Sequence, residues 1–232
     1  MTIISKSLPL PLSRYDLVDS GIRAALGLTF AFYAGACFKK ALAQFEMIDL
    51  SAFDAHHFSD ALATLAIGLF ILTVSCLYAL RIRPIRRTSG FWPWASAIIG
   101  GFLLSALMLL DQRTDLPLAA QAAASMLVLA GNGFAVYVLI YLGRSFSILP
   151  ESRKLVTTGP YRVVRHPLYL AEAVATLGVL IEFISPWALL IILTQFALQN
   201  VRIHYEEKIL RETFPEYKMY SRVTWRLIPM IY

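Results

Sequence analysis

Charge is scarce in this chain. Only 16% of its 232 residues are Asp, Glu, Lys or Arg and 58% are hydrophobic, whereas an average soluble domain is about 25% charged. The mean hydropathy is +0.62, which excludes an ordinary soluble globule and points to a membrane protein. Cysteine is scarcer still. Cys37 and Cys76 stand singly inside apolar stretches, which excludes a disulfide framework and a thiolate metal site. No G-x-G-x-x-G and no P-loop occurs, so no Rossmann domain is expected. Internal repeats and low-complexity tracts are missing as well.

What the chain has in abundance is apolar length. Windows of near twenty residues give spans at 21–38, 58–80, 91–110 and 116–142, followed by two shorter ones at 168–184 and 187–203. At 1.5 Å per residue, roughly twenty residues cross a hydrocarbon core of about 30 Å. Ser185-Pro186-Trp187 reads as the tight turn of a helical hairpin. The expectation is an all-α integral membrane protein of about six transmembrane helices, with a C-terminal helical hairpin and an interfacial tail. Its parts are N-terminal transmembrane helices at 1–140 and a polar-rich region at 141–232. Placing Arg81, Arg83, Arg86 and Arg87 in the cytoplasm puts the N-terminus, 143–167 and the C-terminal tail on the same side. Counting Arg202 at the end of the last span, that side then holds 17 of the 21 Lys and Arg residues, as the positive-inside rule demands. The net charge of +6 is therefore read as topology and headgroup contact, with no nucleic acid as partner. Ala34 to Ala36 resembles a cleavage site, but the apolar run is long and starts after about twenty residues, so it reads as a retained span.

Polar residues inside or beside these runs are the candidates for function. Asn132, within the fourth span, is expected to hydrogen-bond a neighbouring helix. His56 and His57 lie between Asp54 and Asp60, with no third fixed ligand, so no metal is expected. The first strong cluster is "LVTTGPYRVVRHPLYLAE", Leu155 to Glu172. Turn formers and Pro160 lead into Pro167, which suits the first turn of a helix. Tyr161, Arg165, His166 and Tyr169 are thereby held around a helix N-terminus, whose free N–H groups favour an anion. The same residues also suit an interfacial anchor at headgroup level. The second cluster is "NVRIHYEEKIL", Asn200 to Leu210. Arg202 and Glu206 are four apart on one helical face, with Glu207 beside them. Charges at the end of a short span face the bundle or a wet cavity, or form an i,i+4 pair. The tail "FPEYKMYSRVTWRLIPMIY" alternates aromatic and basic residues, as a segment lying at an interface does.

Taken in order, "LVTTGPYRVVRHPLY", the hairpin, "RIHYEEKIL" and "EYKMYSRVTWRLIP" resemble the isoprenylcysteine carboxyl methyltransferase family, whose membrane relatives include the phospholipid N-methyltransferases. The resemblance covers residues 141–232, and the earlier spans carry no signature of it. It implies an integral-membrane enzyme that uses S-adenosyl-L-methionine, released as S-adenosyl-L-homocysteine. The cofactor would lie in a cytoplasm-facing pocket built by 141–232, and a lipid-like substrate would enter from the bilayer. Carried over by position, Lys154, Leu155, Val156, Tyr161, His166, Pro167, Leu168 and Tyr169 are cofactor contacts. Glu206 holds the cofactor, and Arg202 serves the substrate. Two departures bear on substrate identity. Ala171, followed by Glu172, stands where many relatives carry glycine, and His204 and Tyr205 replace acidic residues of the prenylcysteine enzyme.

Methyl transfer from a sulfonium is an in-line displacement, so alignment and exclusion of water matter more than proton transfer. A carboxylate is already ionised at pH 7, and Arg202 could hold it in a fork geometry. An amine or thiol must lose a proton, which would give Glu206, Glu207 or His204 the role of base. The catalytic candidates are thus Arg202 and Glu207. The expected acceptor is the carboxylate of a prenylcysteine-like or isoprenoid amphiphile, with a phospholipid amine or a small thiol as the alternatives. From another class, a small transporter lined by Arg23, Asn132, Glu172 and Glu182 would need polar groups spread through the bundle's depth. The expected location is multi-pass with both termini cytoplasmic, in a bacterial inner membrane or the endoplasmic reticulum.

Overall fold

The computed structural model describes residues 14–48, 55–113 and 115–231. Asp54 and the N-terminal residues 1–13, on which the metal reading and the side of the N-terminus partly rest, lie outside the described residues. The chain is built from helices: α1 (Arg14–Glu46), α2 (Ala55–Leu80), α3 (Phe91–Phe102), α4 (Leu118–Leu142), α5 (Pro167–Glu182), α6 (Pro186–Thr213) and α7 (Tyr217–Val223). Two strands of two residues, β1 (Arg86–Arg87) and β2 (Glu151–Ser152), pair antiparallel. The all-α expectation holds, because in hydrocarbon each apolar run must satisfy its backbone groups within itself.

Helix length separates the expected spans. Among the described residues, three segments are long and apolar enough to cross a membrane: Asp19–Glu46, His57–Leu80 and Leu118–Ser145. They answer to the first, second and fourth spans, and the first outruns 21–38 because no proline interrupts it. The third expected span is a 12-residue α-helix that tightens into a 3₁₀ helix over Leu103–Leu109. The change follows the pair Gly100-Gly101, two of the weakest helix formers. Helix α5 has 16 residues, about 24 Å, less than the hydrocarbon thickness. Helix α6 has 28 residues, but its second half, from Arg202 onward, is charged.

The turn between α5 and α6 forms as the sequence suggests. Ser185 Oγ accepts from the Ala188 N–H at 3.1 Å, and Pro186 occupies the first turn. The hairpin is nevertheless splayed: α5 lies along α4, α6 lies against α3, and the two touch little. Small residues cause this. A Cβ added to Gly178 of α5 would stand 2.6 Å from the Ala124 carbonyl oxygen and 2.9 Å from Val128 Cγ2, and one on Gly131 of α4 would collide with the Ala175 backbone. Backbones can approach this closely only through such residues. Gly178→Leu is expected to destabilise the fold by about 1–3 kcal/mol, measurable as a lowered thermal midpoint in detergent. Asn132 corrects another expectation. Its Nδ2 donates to the Val128 carbonyl of its own helix at 2.9 Å.

The segment from 143 to 166 is tied down at both ends. Ile85 N–H donates to the Ser152 carbonyl at 2.7 Å, extending the β1–β2 pair, and Arg153 Nε donates to the Ile82 carbonyl at 2.7 Å. On the other side, Arg165 N–H donates to the Trp225 carbonyl at 2.8 Å and His166 N–H to the Arg226 carbonyl at 3.1 Å. The tail is therefore more than a surface strip. Met219, Val223, Met230 and Ile231 are exposed while Tyr217 is buried, so one side of the tail braces the loop that carries His166.

Candidate functional site

The splayed hairpin leaves a cleft between α5 and α6. The connecting segment and α7 close one end, and α1, α2 and α3 wall the other, enclosing a cavity of about 300 Å³. Two helical stripes face each other across it. His166, Tyr169 and Glu172 recur every three residues from the start of α5, and Gln195, Arg202 and Glu206 line the cavity from α6, with Gln199 on the same helix outside the lining. Because the helices are antiparallel, the stripes meet in rungs. His166 Nδ1 lies 3.8 Å from Glu206 Oε2. The Tyr169 hydroxyl donates to Glu206 Oε1. The Arg202 guanidinium sits 5.1 Å from the centre of the Tyr169 ring, and Gln199 Nε2 donates to Glu172 Oε2 at 2.9 Å.

Most sequence-derived candidates converge here. Lys154, Leu155 and Val156 border the cavity from the connecting segment, Tyr161 from the 3₁₀ turn, and His166, Leu168 and Tyr169 from the start of α5. Arg202 and Glu206 border it from α6. Pro167 is fully buried in the first turn of α5, where it fixes the helix start behind the wall. Tyr220, whose hydroxyl burial pushes up to about 12, donates to the Tyr161 carbonyl at 2.7 Å. Burial also raises the Tyr161 hydroxyl, so both phenols serve as neutral hydrogen-bonding groups at pH 7.

Glu207 is the exception among the candidates. It does not border the cavity. Its side chain turns to the other face of α6, where Arg165 Nε lies 3.0 Å, His166 Nε2 3.4 Å and Arg226 Nε 3.4 Å from Oε1. Arg211 Nη2 lies 2.9 Å from Oε2. Burial pushes this carboxyl up, but the His166 hydrogen bond and the charges of His166, Arg226 and Arg165 outweigh that and hold it at about 2. A carboxylate so held is a poor proton acceptor. It positions His166 and the Arg165 loop.

Arg202 is buried, with only 8% of its surface exposed. Its Nη2 donates to the Ile148 carbonyl at 3.2 Å, and its Nε has no hydrogen-bond partner among the described residues. The i,i+4 pair with Glu206 does not form, because Tyr169 and His166 already claim that carboxylate. The sequence reading passed over Gln195, Tyr217 and Tyr220 as parts of this wall. The signal for the first was present: polar residues at 195, 199, 202 and 206 form one helical stripe running out of an apolar segment.

Comparison with known proteins agrees with the geometry. Residues 119–217 match the family model for phospholipid methyltransferases. The chain is 33% identical over 115 residues to a probable protein-S-isoprenylcysteine O-methyltransferase of Oryza sativa subsp. japonica, covering 46% of this chain and 59% of that one. It is 39% identical over 84 residues to the nickel-cobalt-cadmium resistance protein NccN of Alcaligenes xylosoxydans xylosoxydans, 35% of this chain and 38% of that one. It is also 34% identical over 84 residues to the cobalt-zinc-cadmium resistance protein CzcN of Cupriavidus metallidurans. The chain thus spans 38% to 59% of the length of these relatives. Among the described residues, no three or more His, Cys, Asp or Glu are grouped as a metal site. The resemblance carried by the C-terminal motifs therefore holds over residues 119–217, which are similar to the phospholipid methyltransferase family.

Proposed function

We propose that the chain is an integral-membrane methyltransferase that takes S-adenosyl-L-methionine in the polar end of the cavity and methylates the carboxylate of an amphiphile. Both termini would be cytoplasmic, as the distribution of basic residues favours. The observation that carries the reading is Arg202, a buried guanidinium with no carboxylate within ion-pair distance among the described residues, at the junction of the polar wall and an apolar limb. That limb is lined by Phe30, Phe70, Val74 and Phe102, which suit a hydrocarbon tail.

The residues of the polar end fit a nucleoside amino acid. The Glu206 carboxylate suits ribose hydroxyls, and Tyr161 and His166 offer flat walls for a base. The edge at Lys154, Leu155 and Val156, which borders the cavity, offers backbone groups. When bound, the cofactor supplies a methyl group on a sulfonium. The chain's task is then to align the acceptor oxygen, neutralise its charge without stripping its nucleophilicity, and exclude water. Arg202 can do the first two through a bidentate fork. With the cofactor bound, a carboxylate held by Arg202 would need no residue of the chain to take a proton, since it is already ionised at pH 7. That matches a site whose buried carboxylate, Glu207, is locked away from the cavity.

Isothermal titration of the purified protein with S-adenosyl-L-homocysteine tests the reading, and no binding well above micromolar concentration would end it. Glu206→Ala should weaken this binding about 10- to 100-fold, the loss of one or two hydrogen bonds to a charged group.

A further inference from the structure

The tail that braces the His166 loop has an outer side that stays exposed. On α7, Tyr217 and Tyr220 turn inward: Tyr217 is buried, and Tyr220 donates to the Tyr161 carbonyl. Lys218, Met219, Arg222 and Val223 lie on the other side of the helix and are exposed. Trp225, Ile228, Met230 and Ile231 continue the apolar edge, and exposed Arg162 and Val163 extend it from the loop. Backbone pairing fixes its level. Trp225 N–H donates to the Val163 carbonyl at 3.0 Å, and the Trp225 and Arg226 carbonyls accept from Arg165 and His166. Those residues stand directly ahead of Pro167, where the apolar helix α5 begins. The edge is thereby held level with the end of an apolar helix rather than out in solution. Aliphatic and indole side chains flanked by cations at that level suit the headgroup boundary of a bilayer. Charge says which lipid: from Phe214 to Tyr232 the chain holds three basic residues and one acid, Glu216.

We propose that this outer side docks on anionic phospholipid of the inner leaflet, and that docking tightens the donor site. This rests on the donor reading and the sidedness proposed above and adds a lipid effector to them. The connection is short. Arg165 Nη1 donates to the Ser221 and Thr224 carbonyls at 2.7 and 2.6 Å, so the tail holds the backbone and the side chain of Arg165 together. The same loop carries Tyr161 and His166 into the cavity wall. A lipid that binds the tail only in this docked position shifts the population toward the loop geometry that receives the donor. By linkage, the donor raises lipid affinity by the same factor. Each basic residue near an anionic leaflet gains about fivefold in affinity. Met219, Val223 and Met230 add apolar contact that a free phosphate does not offer, which commits the surface to lipid.

The test places the full-length protein in nanodiscs of phosphatidylcholine alone or mixed with phosphatidylglycerol, and titrates each with S-adenosyl-L-homocysteine. Affinity should be at least about fivefold higher in the mixed discs. The gain should shrink toward one at high salt and in Lys218→Gln/Arg222→Gln, which should match the wild type in neutral discs. Hydrogen exchange without donor gives a second readout: the amides of Arg165, His166 and Trp225 should be more strongly protected in the mixed discs. Equal affinity in the two lipids overturns the inference, as does a gain that salt or the double variant leaves intact. So does an equal gain from soluble glycerol phosphate added to neutral discs, which would mean a free-anion site. If S-adenosyl-L-homocysteine binds in neither disc, the donor reading fails. Protection that rises in the mixed discs then still supports the lipid surface, and unchanged protection overturns it. Should the double variant not fold, the salt dependence of the wild type decides.

Discussion

Replacing Glu207 with glutamine is expected to cost about 3–5 kcal/mol of stability, the usual consequence of removing one partner from a buried charge cluster. The variant leaves the side chains of Arg165, Arg226, Arg211 and His166 converging on a neutral amide. Two of those, Arg165 and His166, belong to the loop that forms the cavity wall, so the variant should also lose donor affinity. The pH dependence gives an independent signature. Folding lowers the Glu207 carboxyl from an ordinary 4.5 to about 2, so folding favours its ionised form. The stability it contributes is fully present above 4.5 and is lost as the pH falls from there to 2. Acid unfolding of the wild type followed by circular dichroism should be steep in that window. In Glu207→Gln it should be shallower, and an identical acid profile would contradict the clamp.

Arg202→Lys is expected to lower turnover about 100-fold while donor affinity survives. Lysine keeps the positive charge but not the planar fork, and a misplacement of about 1 Å between reacting groups costs that much. Steady-state methyl transfer with a carboxylate amphiphile, set beside titration with S-adenosyl-L-homocysteine, separates the two effects. Arg202→Ala should abolish turnover, since it removes the charge as well. Loss of donor affinity in either variant would contradict the assignment of Arg202 to the acceptor.

Local patterns were the legible part of this protein. The α2 and α4 spans are readable because twenty or so apolar residues have one solution in hydrocarbon. Ser185-Pro186 marks a helix start because the cap and the proline act on adjacent backbone groups. The ordered motifs around His166 and Glu206 named the two walls of the cavity for the same reason: each lies on one element. What was not legible depended on which element faces which. The adjacent glutamates Glu206 and Glu207 look equivalent in sequence. About 100° of helical rotation sends one into the cavity and the other into a cluster of arginines. Asn132 looked like interhelical glue, but its amide is spent on the Val128 carbonyl of its own helix.

The sequence by itself determined that this is a helical membrane protein whose polar chemistry gathers around 155–172 and 200–210, because hydropathy and capping are local properties. Only the tertiary structure decided that α5 and α6 part company to pack on α4 and α3, leaving a chamber between them. That outcome depends on glycines at 131 and 178 fitting against one another's helices, and contacts between residues far apart in the chain have no local signature.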